Sequence, residues 1–581
     1  MKINSEIFEI TCSEGMDAKL TSLKTDCDIS IYTYKLSWTK DNASKDDSFT
    51  FNFTTPLVGI MYGFNPKCGG NRVIDPDWCG PVSHMISNGA PVNSYYDGQS
   101  KNQITVALSE TKMLTKIRNG IVEENGNLEF RFTMGTKQFT ERYETDFSIY
   151  IDKRNVYMYK ALNDVAAWWE EIGNTPVYVP DAAKEPVYSF WYSFHQDVNE
   201  NNVEEECKRA KALGFDVCIV DDGWQTSDGN RGYAYCGDWE PYEGKFPNMA
   251  AHVKRVHDIG MKYVLWYSVP FVGTFTKSYE LFNKMFLRAN HRANEFVLDP
   301  RYKEVREYLL NKYISALKDW DLDGFKLDFI DSWYDDERNA PYNEKMDIPS
   351  LQDAVDVFMT SVITELSKIK PDILIEFRQS YIGPTMRKFG NMFRVGDCPG
   401  NYINNRTGMF DLRMLMGKTA VHSDMLMWHK DECAEKNALQ IINILYSVMQ
   451  YSAKLDTLSE RTAKMSSFWL NFMKEKKETL LEGELRPYDP HKLYTWAESI
   501  NGDENIVAVY TEDKCIKPEK KNNMYIANGS TENRVLLELE GKFNVKITNC
   551  CGEILTEADM ELKGINVLNI PEGGLAELKA I

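Results

Sequence analysis

The first 175 positions carry short runs in which apolar and polar residues alternate, as in Leu128-Glu129-Phe130-Arg131-Phe132-Thr133-Met134 and Phe147-Ser148-Ile149-Tyr150-Ile151, with Gly, Asn and Asp between them. A period of two predicts strands with one buried face, so residues 1–175 read as an antiparallel β-sandwich. Near the end of this region the period changes: Ala161 to Ile172 predicts an amphipathic helix. Residues 176–186, from Pro176 to Pro186, read as an extended linker.

Between 187 and 484 the pattern becomes strand then helix, repeatedly. Most of the candidate strands are apolar runs, as expected where both faces of a parallel sheet are covered. The candidates are Val187 to Phe194, Val217 to Val220, Tyr263 to Tyr267, Gly324 to Phe329, Ile373 to Phe377, Met392 to Val395, Ala420 to Ser423 and Lys454 to Leu458. Helical periodicity fills the intervals, for example Asn201 to Leu213 and Met249 to Ile259, and Gly214 and Gly260 stand where a helix stop belongs. Eight strand–helix units favour closure into a (β/α)8 TIM barrel over an open sheet. After 485 alternation returns in Ile506-Val507-Ala508-Val509-Tyr510 and Val535-Leu536-Leu537-Glu538-Leu539, which predicts a small carboxyl-terminal β-sandwich over 485–581. The expected architecture is multidomain: a barrel flanked by two sandwiches.

Length agrees with this division, because 581 residues exceed what one core supports. The formal net charge of -19 argues against a nucleic-acid partner, whose phosphates require excess Lys and Arg. The 12 cysteines form neither a CxxC pair nor a Cys/His cluster with zinc spacing, so they read as free thiols rather than a disulfide framework or a metal site. Met1-Lys2-Ile3-Asn4-Ser5-Glu6 lacks the apolar core of a signal peptide, and no later run reaches the length of a membrane span. The expectation is a soluble, cytoplasmic protein with no membrane or nucleic-acid partner.

Candidate chemistry gathers at strand ends. Val220-Asp221-Asp222-Gly223-Trp224, Asp323-Gly324-Phe325-Lys326-Leu327-Asp328-Phe329 and Arg394-Val395-Gly396-Asp397-Cys398 each run from apolar residues into carboxylates. In a barrel these ends meet at one mouth. Paired acids there, with Trp224, Trp239, Trp266 and Trp333 nearby, are the equipment for cleaving a glycosidic bond. Asp328 and Lys326 share a strand face, so the ammonium would keep the carboxylate ionised for nucleophilic attack, unless the two are only a structural ion pair. Asp397, two strands on, would face Asp328 at the separation of about 5–5.5 Å used by retaining enzymes, unless it merely caps the Cys398-Pro399-Gly400 turn. Asp221 and Asp222 form a clamp for vicinal hydroxyls or else a helix cap, and Trp239 is either an aromatic wall for a sugar ring or a packing anchor.

Trp191, Leu213-Gly214-Phe215, Val220-Asp221-Asp222-Gly223-Trp224, Gly237-Asp238-Trp239, Lys245-Phe246-Pro247, Ile259-Gly260-Met261-Lys262, Leu265-Trp266 and Lys326-Leu327-Asp328 follow the order and spacing of glycoside hydrolase family 36, a member of clan D. Over residues 186–400 the chain resembles the α-galactosidases of that family. The resemblance implies a retaining, exo-acting α-glycosidase with Asp328 as nucleophile and Asp397 as general acid/base. It further implies that Asp221 and Asp222 hold the O4 and O6 hydroxyls of galactose, that Lys326, Trp191 and Trp239 contact the sugar, and that no metal or organic cofactor takes part.

The chain also departs from that family. Glu376-Phe377-Arg378-Gln379-Ser380 replaces a Cys- and Gly-rich turn after the fifth strand, Ser268-Val269-Pro270 replaces a Glu-Pro after the third, and Gly396 precedes Asp397 where the family has Ser. Arg378 is suited to a carbonyl or an anion, which keeps an N-acetylgalactosaminide or an acidic sugar open as substrate; its plain alternative is an ion pair with Glu376 or another barrel-end acid. A transglycosylase of the raffinose or stachyose synthase kind and a non-catalytic carbohydrate-binding protein are the other readings. The substrate in every case is a small carbohydrate, and a homo-oligomer is left open.

Overall fold

A computed structural model describes residues 2–4, 7–45, 47–139, 142–290 and 294–581; Met1, Ser5 and Glu6 of the amino-terminal stretch lie outside these. The first region folds as two six-stranded sheets, antiparallel throughout. The alternation in Asn127–Gly135 places Leu128, Phe130, Phe132 and Met134 inward and the residues between them outward. Phe53 on the neighbouring strand stacks on Phe130 at 4.5 Å between ring centroids, a contact of the kind that adds about 0.5–1.5 kcal/mol beyond burial. A helix, Met158–Glu171, follows the sandwich and buries Leu162, Val165, Trp168 and Trp169, with the Trp169 indole donating to the Leu108 carbonyl at 2.9 Å. Residues 176–186 run along the barrel's surface, partly exposed. They include a single 3-10 turn, Asp181–Lys184, whose Ala183 carbonyl lies 2.8 Å from His422 Nε2 beneath the barrel.

Eight parallel strands form the barrel: Val187–Ser189, Val217–Val220, Lys262–Ser268, Gly324–Asp328, Leu374–Arg378, Met392–Arg394, Ala420–His422 and Gln450–Tyr451. The eighth pairs with the first, and a parallel bridge from His422 to Val448 closes the ring. Their residues are almost wholly buried, which is why most of them read as apolar runs. Gly324 is required by the close approach of the fourth and fifth strands, since a Cβ there would sit 2.2 Å from the Leu374 carbonyl oxygen.

Two of the expected strands are corrected. The eighth strand is Gln450–Tyr451, not Lys454 to Leu458, where a 3-10 turn, Leu455–Thr457, forms against the helix bearing Glu206. A two-residue strand containing a glutamine that points at Glu376 leaves no hydrophobic signal. The first strand ends at Ser189, and Trp191–Phe194 is a helical turn. An unforeseen three-stranded sheet, Phe271–Gly273, Phe286–Ala289 and Glu295–Leu298, is inserted after the third strand. Beyond Glu484 the chain builds a seven-stranded sheet and a three-stranded sheet around a separate apolar core that includes Val507, Ile526, Phe543 and Leu578.

Candidate active site

The carboxyl ends of the strands gather the acids at one mouth, as the alternation along the fourth strand requires: Lys326 and Asp328 lie on one face, while Phe325 packs outward against Tyr267 and Tyr313. Asp328 is buried, and its two oxygens are treated unequally. Oδ1 accepts from Arg378 Nε at 2.7 Å, from the Tyr381 hydroxyl at 3.1 Å and from the Phe329 amide at 2.8 Å. Among the described residues, Oδ2 accepts only from Trp266 Nε1, at 3.1 Å. Burial alone would raise the proton affinity of this acid, but Arg378, Lys326, Arg394 and the Trp266 N–H outweigh it and hold Asp328 well below the usual carboxylate range.

The direct partner of Lys326 is Asp221, at 2.6 Å, and both are buried. Lys326 thus acts on Asp328 through space, and the cation in contact with Asp328 is Arg378. This ion pair is the plain alternative anticipated for Arg378, although the acid is Asp328 and not Glu376. The remaining contacts of Arg378 are the Gln379 carbonyl at 2.7 Å, Asp331 at 3.8 Å, and the rings of Phe329 and Tyr381 beneath its guanidinium.

Asp222 is held by two amides, Gln196 Nε2 at 2.6 Å and Gln225 Nε2 at 2.7 Å. Burial, reinforced by the neighbouring Asp221 charge, pushes it up to about 7. Gly223, at φ 113°, makes this arrangement possible: a Cβ there would lie 2.5 Å from the backbone of Gln196, so the loops after the first and second strands touch at this residue. No helix begins at the pair, which removes the helix-cap reading.

Asp397 lies three residues past the end of the sixth strand, and its side chain is 55% exposed. Arg394 NH2 holds its Oδ1 at 2.9 Å. Partial burial raises Asp397, but Arg394 and Lys326 more than offset this and keep it below the usual range. Arg394 is itself a fully buried hub. It pairs with Asp424 of the segment after the seventh strand, approaches Glu376 at 3.5 Å, and donates to the Val395 carbonyl at 3.0 Å. Asp424 also accepts from the Tyr192 hydroxyl at 3.0 Å and the Cys398 amide at 2.7 Å. Burial raises both Glu376 and Asp424.

Trp191 stands half-buried at the mouth, edge-on to His195 at 4.9 Å. Trp239, in contrast, is buried against Trp224, Trp266 and Tyr267; its ring is a packing anchor and offers no open wall to a sugar. Reasoning from sequence missed Tyr381, Arg394 and Asp424 as parts of this network, and offered Glu376 to Arg378 when the cation beside it is Arg394. Arg394 and Glu376 stood inside the quoted motifs, and a charged residue within an apolar strand was the signal available for both. A loop of the amino-terminal sandwich also reaches the mouth. The Gly89 amide donates to the Ser380 carbonyl at 2.7 Å, and the Ser87 hydroxyl donates to the Trp333 carbonyl at 2.6 Å, bracing the segments that follow the fourth and fifth strands. A small cavity at the opposite end of the barrel, lined by Pro186, Val448, Met449 and Leu481, holds none of these acids. Among the described residues no group of His, Cys, Asp and Glu is arranged to hold a metal ion, and no helix is long and apolar enough to cross a membrane.

Fold and site together define a multidomain (β/α)8-barrel protein with a charged carboxylate network at the barrel's carboxyl-terminal mouth. Residues 154–383 match the Melibiase family model, and the chain is similar in sequence and in fold to the α-galactosidases of glycoside hydrolase family 36. It is 28% identical over 209 residues to the α-galactosidase Mel36A of Lactobacillus acidophilus, an alignment covering 34% of this chain and 27% of the relative. It is 28% identical over 150 residues to α-galactosidase 1 of Pediococcus pentosaceus, covering 24% and 20%. These matches span about a quarter of the length of those relatives. In fold the likeness is more extensive. The α-galactosidase AgaA of Geobacillus stearothermophilus, solved with raffinose, superposes with a TM-score of 0.65 at 13% identity, covering 99% of this chain and 81% of that one.

Proposed function

We propose that this protein is a retaining, exo-acting α-galactosidase that hydrolyses terminal α-galactosides by double displacement. The observation that carries the reading is Asp328: a buried carboxylate, held ionised by a ring of cations, at the end of a barrel strand within the stretch that matches the Melibiase family model. In this reading Asp328 attacks the anomeric carbon and Asp397 protonates the departing oxygen. Water then enters from the side the aglycone vacated, and Asp397, now a base, takes its proton.

Asp221, Asp222, Lys326 and Trp191 are the proposed sugar contacts, and Arg378 and Trp239 act from behind them. The buried Asp221–Lys326 pair supplies a charged acceptor and a charged donor to neighbouring hydroxyls, whose hydrogen bonds to ions are stronger than neutral ones. Asp397 is ionised in the free protein, so its acid role depends on the substrate. A bound sugar that expels water from this half-exposed side chain favours the neutral carboxyl and readies it to donate.

The test is leaving-group dependence. Asp397→Ala should impair galactosides with poor leaving groups far more than activated aryl galactosides, since only the former need protonation of the departing oxygen. In the unsubstituted protein an NMR time course should show the α-anomer of galactose forming first. Equal losses on both substrate types would reduce Asp397 to a turn cap, and early β-anomer would overturn double displacement.

A further inference from the structure

The unequal surroundings of the two Asp328 oxygens have a chemical consequence, which rests on the double-displacement reading. We propose that Arg378 and Tyr381 are positioning residues for the nucleophile: they clamp Oδ1 of Asp328 and leave Oδ2, the oxygen facing Trp266, as the atom that attacks.

Oδ1 already has three donors, more than its two lone pairs can each take singly, whereas Oδ2 has one among the described residues and keeps a lone pair for a new bond. The clamp is rigid. Arg378 lies on the fifth strand in register with Arg394, its guanidinium rests on the Phe329 and Tyr381 rings, and Tyr381 is fully buried with its hydroxyl also near the Leu327 carbonyl at 3.2 Å. The brace from the amino-terminal sandwich at Ser380 fixes the segment that joins the two residues.

In the first step an Oδ2 lone pair forms the bond to the anomeric carbon as the bond to the aglycone oxygen breaks. The released pair goes to that oxygen, which takes the proton of Asp397. Oδ1 becomes the carbonyl oxygen of the glycosyl ester. In the second step water attacks the anomeric carbon, Asp397 takes its proton, the bond to Oδ2 breaks and the carboxylate charge returns. A guanidinium fixed on Oδ1 stabilises that charge as it re-forms, so the clamp serves both steps. The charged and titratable groups facing Asp328 are Arg378 and Tyr381 from the fifth strand and its loop, Lys326 on its own strand, Arg394 from the sixth, Asp397 beyond that, and Asp331 in the following turn.

The experiment compares unsubstituted protein, Arg378→Ala, Arg378→Lys and Tyr381→Phe on an activated aryl α-galactoside across pH, with Asp328→Ala as the inactive control and circular dichroism to check folding. Arg378→Ala should lower kcat by about 10- to 100-fold, the worth of a hydrogen bond to a charged group, with KM changed by no more than about twofold. The acid limb of kcat/KM should move to higher pH, because the nucleophile then protonates more readily. Arg378→Lys should restore much of the loss and return the limb, and Tyr381→Phe should show a smaller loss in kcat alone. An unmoved acid limb, or a raised KM with unchanged kcat, would overturn the assignment and make Arg378 a reader of the sugar or a scaffold residue. If the unsubstituted protein cleaved no α-galactoside, the double-displacement reading itself would fall, and the clamp with it.

Discussion

Asp222 accepts from two glutamine amides and has no ion-pair partner among the described residues, so its charge is poorly supported where it is buried. Its proton affinity is raised from the ordinary 3.8 to about 7. In that interval the folded chain holds a proton that the unfolded chain has released, so Asp222 contributes stability that declines as pH rises. Thermal unfolding should therefore show the unsubstituted protein losing ground to Asp222→Asn between about pH 4 and 7, with the difference level above 7. A pH-independent difference would mean that Asp222 is ionised throughout. The sequence made this acid visible, because a carboxylate pair ending an apolar run stands out, but it did not show how the pair is neutralised. Lys326 comes from 105 positions further along, and Gln196 from the preceding loop.

At the level of elements, the fourth and fifth strands carry the proposed nucleophile and its clamp, and their spacing is set by Gly324. A methyl group at that position would overlap the Leu374 carbonyl. Gly324→Ala should destabilise the protein by about 1–3 kcal/mol or more in urea unfolding and lower activity, because separating these strands also moves Arg378 away from Asp328. A variant with unchanged stability and activity would show that the two strands separate without cost. Seven of the barrel strands were legible, since each is an apolar run long enough to register. The eighth was not, being two residues long and half polar, nor was the inserted sheet, whose short strands carry no distinctive period. Trp239 stayed between two readings for a related reason: a loop tryptophan looks the same in sequence whether its ring faces solvent or the core. Arg394 stood in a quoted motif without a role because its partners are distant in sequence, Glu376 on the fifth strand and Asp424 in the segment after the seventh.

The molecule as a whole ties its three regions together in the interior. Arg72 of the amino-terminal sandwich pairs with Asp411 on a barrel helix at 2.9 Å, and Asp411 accepts from the Tyr494 hydroxyl of the carboxyl-terminal region at 2.6 Å, all in the interior. The Ser87 and Gly89 contacts separately brace the segments after the fourth and fifth strands. The central claim, that this assembly presents Asp328 as the nucleophile of a retaining α-galactosidase, is tested most directly by trapping the intermediate. The protein would be incubated with an activated fluorinated galactoside whose glycosyl-enzyme turns over slowly, then digested and mapped by mass spectrometry. A single galactosyl adduct on the peptide containing Asp328, absent from Asp328→Ala, is the predicted result. An adduct on another acid, or rapid release of galactose with no adduct at all, would contradict it.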